Sequence, residues 1–315
     1  MIALARQPSD GQKIVEAIIR RLPSTHPEYP YYYEHLQRIL AGFAGEQRMD
    51  AEWLEIELPY PYYFLHGLQM INRSGSTHQI DTIFLYAHFV LILEIKNITG
   101  ILSYHAPFSQ FTRTTAEGVL ESMADPFQQV ARHVAWIKSL LQQERLDLPV
   151  LSAVVIATKN GILTEGFREQ PVFHVTGLRT HLQKWLQQYP QSEKDTKMLF
   201  RFAMLLLSMH QKITKELKVP LQDIIKGVLC SRCANGQRLR YHYKKWLCPR
   251  CGVEEHNALH RALEDYRLLV GTMLTNKSFY EFFAIDSPNI AYKLLQQLPL
   301  KAEGTKRHRK YWITH

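Results

Sequence analysis

At 315 residues the chain is long enough for two domains, and 46% hydrophobic with 21% charged residues excludes wholesale disorder. Its greasiest helix offers an unbroken apolar run only from Phe202 to Leu207, against the roughly 18 residues a membrane span needs. Arg6 and Lys13 interrupt any N-terminal leader, so a soluble, cytoplasmic protein with no membrane partner is expected. The net charge of +9 is concentrated: residues 230–251 carry six bases and no acid, residues 301–310 carry five bases against Glu303, and the rest sums to −1. Such windows suit a polyanion, nucleic acid before membrane, or are simply solvated faces.

In chain order, helices are expected over 10–22 and 34–54, separated by the Pro/Tyr-rich stretch Pro23 to Tyr33. Strands follow at 62–70, 79–86 and 89–96. A helix runs from Pro126 to about Gln142, with Asp125 as its N-cap. The apolar, β-branched run Leu151 to Thr158 reads as a strand covered on both faces. Val172 to Val175 is a further strand, Leu178 to Gln188 a helix, and residues 195–217 a long buried helix whose stretch Met198 to Leu207 is core. The division expected is a helical extension at 1–40, an α/β domain at 41–190, a helical connector at 191–229, a small cysteine module at 230–252 and a helical module at 253–315.

All four cysteines lie in the first basic window, as two C-x-x-C pairs at Cys230, Cys233, Cys248 and Cys251. Each pair turns two thiolates toward one point, so two pairs supply a tetrahedral four-sulfur shell for one structural Zn²⁺, with no position left for water. Four thiolates around a divalent ion lower the window's +6 to about +4. Tyr241, Tyr243 and Trp246 interleave with Arg238, Arg240, Lys244 and Lys245, a pattern that suits base stacking and phosphate pairing or, for Trp246, a minimal core.

Toward the C-terminus Leu259, Leu263, Tyr266, Val270 and Met273 keep helical spacing. Asn276 caps a short helix ending near Phe283, and Ser287-Pro288 opens another carrying Ala291, Leu294, Leu295 and Leu298. Two short helices joined by a tight turn, then a basic segment and Tyr311-Trp312-Ile313, resemble a winged helix-turn-helix. Asn289, Tyr292, Lys293 and Gln296 would then face a groove, with Lys306 to Lys310 as the wing; the bland alternative is a protein-binding helical bundle.

The chemistry gathers on the second and third strands. If Ala87-His88 make a two-residue hairpin turn, Asp81 lies opposite Glu94 and Lys96 stands two residues further on the same face. Two carboxylates opposed at the end of apolar strands repel unless a cation or proton intervenes. A hard Mg²⁺ (or Mn²⁺) resolves the clash, accepting one or two carboxylates plus phosphate oxygens, with Lys96 beside the attacking water or the developing phosphate charge. A hairpin-end salt bridge is the competing reading. His78 and His88 lack ligand spacing and read as surface or turn residues, while Arg132 and His133 read as phosphate-facing or solvated.

Gly45-Glu46, Gln79-Ile80-Asp81, Leu93-Glu94-Ile95-Lys96-Asn97, Thr99-Gly100 and Asp125 to His133 together resemble the nuclease-related domain (NERD) family over about residues 41–160. That family is placed in the PD-(D/E)xK nuclease superfamily, with Ile80-Asp81 here in place of the Pro-Asp half-motif. The resemblance implies a restriction-endonuclease-like αβββαβ core, Asp81 and Glu94 as metal ligands, Lys96 as the catalytic lysine, and Glu46 and Gln129 as helix-borne supporters. The function it implies is metal-dependent phosphodiester hydrolysis in nucleic acid, DNA favoured, with no organic cofactor. The alternative is a non-catalytic nucleic-acid-binding or adaptor protein on a nuclease scaffold.

Overall fold

The structure is a computed structural model that describes the chain except residues 59, 73, 169, 190–195, 213–218, 234–235, 306–308 and 315. It divides into two units, Met1–Pro8 with Leu40–Ile213 and Ser9–Ile39 with Thr214–His315. Residues 1–40, read from the sequence as one extension, are thus shared between them.

The first unit is built on a six-stranded mixed sheet in the order β1-β2-β3-β4-β8-β10: Ile2–Leu4, Tyr62–Ile71, Thr77–Tyr86, Val90–Lys96, Val150–Ile156 and Val172–His174. The strands β2, β3 and β4 are antiparallel neighbours, whereas β1, β8 and β10 join in parallel. One face packs on α3 (Pro126–Gln143) and α5 (Thr196–Ser208), through Ile83, Val90 and Ile92 against Ile137, Leu140, Phe202 and Leu206. The other face meets Met49 and Trp53 of α2 (Tyr29–Leu54) and Leu178 and Leu182 of α4 (Leu178–Gln188). Burial on both faces explains why β3, β4 and β8 read as continuous apolar runs rather than alternating ones.

A second sheet, in the order β7-β6-β5-β9, joins Leu120–Met123, Gln110–Thr114, Gly100–His105 and Gly161–Leu163 over a core of Leu102, Tyr104, Phe111 and Phe167. None of these strands is expected from the sequence, because they are short and mostly half-polar.

Two helix boundaries in this part of the chain differ from expectation. α2 begins at Tyr29 rather than residue 34, since Pro30 falls in the first turn, where its missing N–H has no helical partner to lose. The helix expected over 195–217 stops at Ser208. There the chain turns to β2: Gln69 donates its N–H to His210 Nδ1 at 3.1 Å, and Gln211 donates to the Gln69 carbonyl at 2.8 Å. Residues 213–217 of that expectation lie outside the described residues.

In the second unit, α1 (Asp10–Arg21) packs on α6 (Ala258–Leu269), and buried Arg21 donates to Asp265 and to the carbonyls of Ile225 and Gly227. A hairpin set between the two cysteine pairs, β11 (Arg240–His242) with β12 (Lys245–Leu247), precedes α6. After α6 come β13 (Met273–Leu274), α7 (Asn276–Phe283), α8 (Pro288–Gln297), β14 (Leu300–Glu303) and β15 (Lys310–Ile313), the three strands forming an antiparallel sheet. Met273 therefore belongs to a strand and not to α6. The cap of α7 is Thr275, not Asn276: Ser278 donates its N–H to Thr275 Oγ1 at 3.0 Å, and Thr275 returns its own to Ser278 Oγ at 2.9 Å.

Candidate active site and cysteine cluster

Ala87 and His88 do form the two-residue turn, and Leu85↔Val90, Phe84↔Leu91, Ile83↔Ile92 and Thr82↔Leu93 pair in the expected register. The ladder stops one pair short of Asp81 and Glu94. On its other side Asp81 also misses a partner, because the β2 ladder passes from His66↔Thr82 to Leu68↔Ile80 around Gly67, whose φ is +60°. With its backbone outside both ladders, Asp81 uses its carboxylate instead: Oδ2 accepts the Ile95 N–H at 2.8 Å.

Glu94 is 2% exposed, and its two oxygens have different surroundings. Oε1 accepts from Lys96 Nζ at 2.7 Å, while Oε2 is buried with no hydrogen-bond partner among the described residues. Lys96 Nζ also donates to Gln129 Oε1 at 3.2 Å, so α3 brings Gln129 to the same point. Burial, and then the charge of Asp81, push the Glu94 carboxyl up to about 8 despite Lys96. Burial raises Asp81 as well, against the Ile95 N–H, Lys96 and Arg6. Desolvated carboxyls that repel one another and leave an oxygen open are the donor set a hard divalent ion takes.

Glu46 joins this cluster from α2. Gly45 allows it: a Cβ there would lie 2.7 Å from Asn97 Cβ and 3.2 Å from Ala157 Cβ, so only glycine lets the helix sit this close to the strand ends. Asn97 fixes the contact by donating to the Ala41 carbonyl at 2.6 Å. Burial and the Asp81 charge push Glu46 up to about 7 although it is paired with Arg6.

Arg6, in sequence only an interruption of an apolar leader, is a member of the site that no sequence pattern marks. Its side chain is 5% exposed. It grips Glu46, donates to Asp50 at 2.6 and 2.9 Å, to Thr82 Oγ1 at 2.9 Å and to the Asp81 carbonyl at 3.2 Å, and it lies 3.1 Å from His66 Nδ1. A guanidinium with that many acceptors organises the carboxylates around it. No local motif marks it, since the carboxylates it serves lie far along the chain.

The histidine reading needs correcting. His78, His88 and His133 are all buried. His78 Nδ1 and His133 Nδ1 are 3.0 Å apart, with Trp136 stacked on His78 at 4.9 Å. Burial holds His133 down at about 4, helped by His78, Arg132 and Lys96. Arg132, by contrast, is exposed as expected.

Residues 41–157 match the nuclease-related domain (NERD) family. The chain carries a nuclease-related domain. No curated protein and no solved structure matches the chain. The nuclease-related domain contains Glu46, Asp81, Glu94, Lys96 and Gln129, whereas Arg6 lies outside the matched stretch.

Also outside the nuclease-related domain, the four cysteine Sγ atoms lie within 4.8 Å of one another. Cys230 and Cys251 are 3.8 Å apart, and Cys233 and Cys248 3.7 Å. A tetrahedron with Zn–S bonds of about 2.3 Å has edges of about 3.8 Å, so the thiols are spaced for zinc. A disulfide, at about 2.05 Å, is not formed. Burial raises the Cys248 thiol, but the amides of Cys251 and Arg250 outweigh it and bring it down to about 7, whereas burial keeps Cys230 raised, and burial with the neighbouring thiols pushes Cys233 up to about 12. Trp246, 6% exposed, is core. Asn289, Tyr292, Lys293 and Gln296 are exposed on α8, with Gln296 donating to Tyr311 Oη at 2.7 Å. Of the expected wing, residues 306–308 lie outside the described residues, and Lys310 is exposed. No helix among the described residues is long and apolar enough to cross a membrane.

Proposed function

We propose that this protein is a divalent-metal-dependent nuclease acting on nucleic acid, DNA favoured, through Asp81, Glu94 and Lys96. The observation that carries this reading is the buried, unpartnered Oε2 of Glu94 beside Lys96, in a domain of nuclease-related sequence. The order α2-β2-β3-β4-α3-β8 supports a restriction-endonuclease-like core, with β5 to β7 inserted before α3.

Asp81 and Glu94 would hold the ion, Mg²⁺ or Mn²⁺. Bound there, it supplies Lewis acidity and positive charge toward an attacking water and a phosphate oxygen. Lys96, pinned by Glu94 and Gln129, presents a fixed ammonium to the charge building on phosphorus. Glu46 stands by on α2, held by Arg6. Burial of the carboxylates excludes bulk water and strengthens these interactions.

The cysteine cluster would bind one structural zinc. The order α6-β13-α7-α8-β14-β15 supports a winged helix-turn-helix whose α8 meets nucleic acid. Cleavage assays with Mg²⁺ or Mn²⁺ on single- and double-stranded substrates test the whole reading. Wild type should cleave, and Lys96→Ala should lose at least about a hundredfold in turnover while retaining binding. Binding without cleavage by wild type would leave a nucleic-acid-binding protein on a nuclease scaffold.

A further inference from the structure

The hairpin of β11 and β12 turns on two residues, Tyr243 and Lys244, between His242 and Lys245. Both have left-handed backbone, with φ of 46° and 65°. Such a turn favours Asn-Gly, because a Cβ in this region is strained; strain of this kind persists where function requires the side chain. Tyr243 is 86% exposed, and among the described residues its one ring contact is with the neighbouring His242, at 4.2 Å. The hairpin's other aromatics are committed elsewhere: Trp246 is buried, and Tyr241 packs on it at 5.0 Å. Arg232, Arg238, Arg240, Lys244 and Arg250 are exposed and make no ion pair among the described residues.

We propose that Tyr243 is a base-stacking finger, a binding site for an unpaired base of single-stranded nucleic acid whose phosphates pair with the neighbouring Arg240 and Lys244. This rests on the nucleic-acid reading above. The tip of a narrow hairpin offers one aromatic face and no apolar rim to bury against a protein partner. The unpaired charges nearest it along the hairpin, Arg240 and Lys244, are both positive, which suits a polyanion, while Lys245 is paired with Glu254. In a duplex the face of each base is already stacked, so a lone ring gains most from a base that is not. Every base has such a face, so the site is sequence-tolerant. The finger is also anchored, because Trp246 and Cys248 share a core with Leu294 and Leu295 of α8.

The full chain, zinc-loaded and in magnesium-free buffer, is titrated with a fluorescent single-stranded oligonucleotide and with a blunt duplex of the same sequence. Tyr243→Asn should lower single-strand affinity about tenfold or more, change duplex affinity by no more than about twofold, and melt at the same temperature or a few degrees higher, since Asn relaxes the turn. Tyr243→Phe should bind like wild type. Unchanged single-strand affinity in Tyr243→Asn, an equal loss on both probes, or a loss in Tyr243→Phe overturns the proposal. So does loss of affinity accompanied by a lower melting temperature, which would make Tyr243 a packing residue. Wild type that binds neither probe overturns the nucleic-acid reading itself, and this proposal with it.

Discussion

The Ile95 N–H donates to Asp81 Oδ2 at 2.8 Å, at the point where the β3–β4 ladder has ended. The carboxylate thus takes the place of a missing backbone acceptor. Asp81→Asn keeps an acceptor for Ile95 while removing a charge that repels Glu94 and Glu46. Its melting temperature without divalent ions should equal or exceed that of wild type. Asp81→Ala leaves a buried N–H unpaired and should cost about 1–3 kcal/mol in urea denaturation.

Arg6 gives a larger effect. Arg6→Ala leaves Glu46 and Asp50 without their shared counter-charge, and should destabilise the fold by about 3–5 kcal/mol in urea denaturation. Arg6→Lys should recover little of this, because an ammonium cannot reproduce a fork that reaches Asp50, Glu46 and Thr82 together.

The buried histidines weaken the fold as pH falls. Burial holds His66 and His133 at about 4, against an ordinary value near 6.5. Below 6.5 the unfolded chain takes up protons that the native chain refuses, so their contribution is complete above 6.5 and is lost as pH falls toward 4. The raised carboxyls of Glu46 and Glu94 act in the opposite direction across that window, so the test is a difference: the melting temperature of His133→Gln relative to wild type should rise as pH falls from 6.5 toward 4. The hydrogen bond between His78 Nδ1 and His133 Nδ1 adds to the penalty, since two imidazolium rings cannot share it.

Elemental analysis of protein purified without chelator should find about one zinc per chain, lost in Cys248→Ser. Absence of zinc from wild type would remove the cysteine cluster from the metal account.

Local patterning carried much of this into view from the sequence. Uninterrupted apolar runs marked β3, β4 and β8; the Ala87-His88 turn fixed the register; and the cysteine spacing led to four clustered thiols. What escaped was contributed by distant parts of the chain. Arg6 meets Glu46 and Asp81 only after folding, β1 pairs with a strand some sixty residues away, and His78 and His133 become partners only when α3 packs on the sheet. The break opposite Asp81 in the β2 ladder also escaped, because it comes from the backbone of Gly67 in the neighbouring strand.

The central claim is that Asp81 and Glu94 hold a divalent ion, and thermal melts of the full chain with and without Mg²⁺ test it most directly. Saturation at about a hundred times the dissociation constant adds about 2.7 kcal/mol, so wild type should melt several degrees higher with Mg²⁺, and Glu94→Gln and Asp81→Asn should show no shift. Wild type with no divalent-dependent shift, together with an Asp81→Asn that melts below it, would contradict the claim and make Asp81, Glu94 and Lys96 a structural ion cluster.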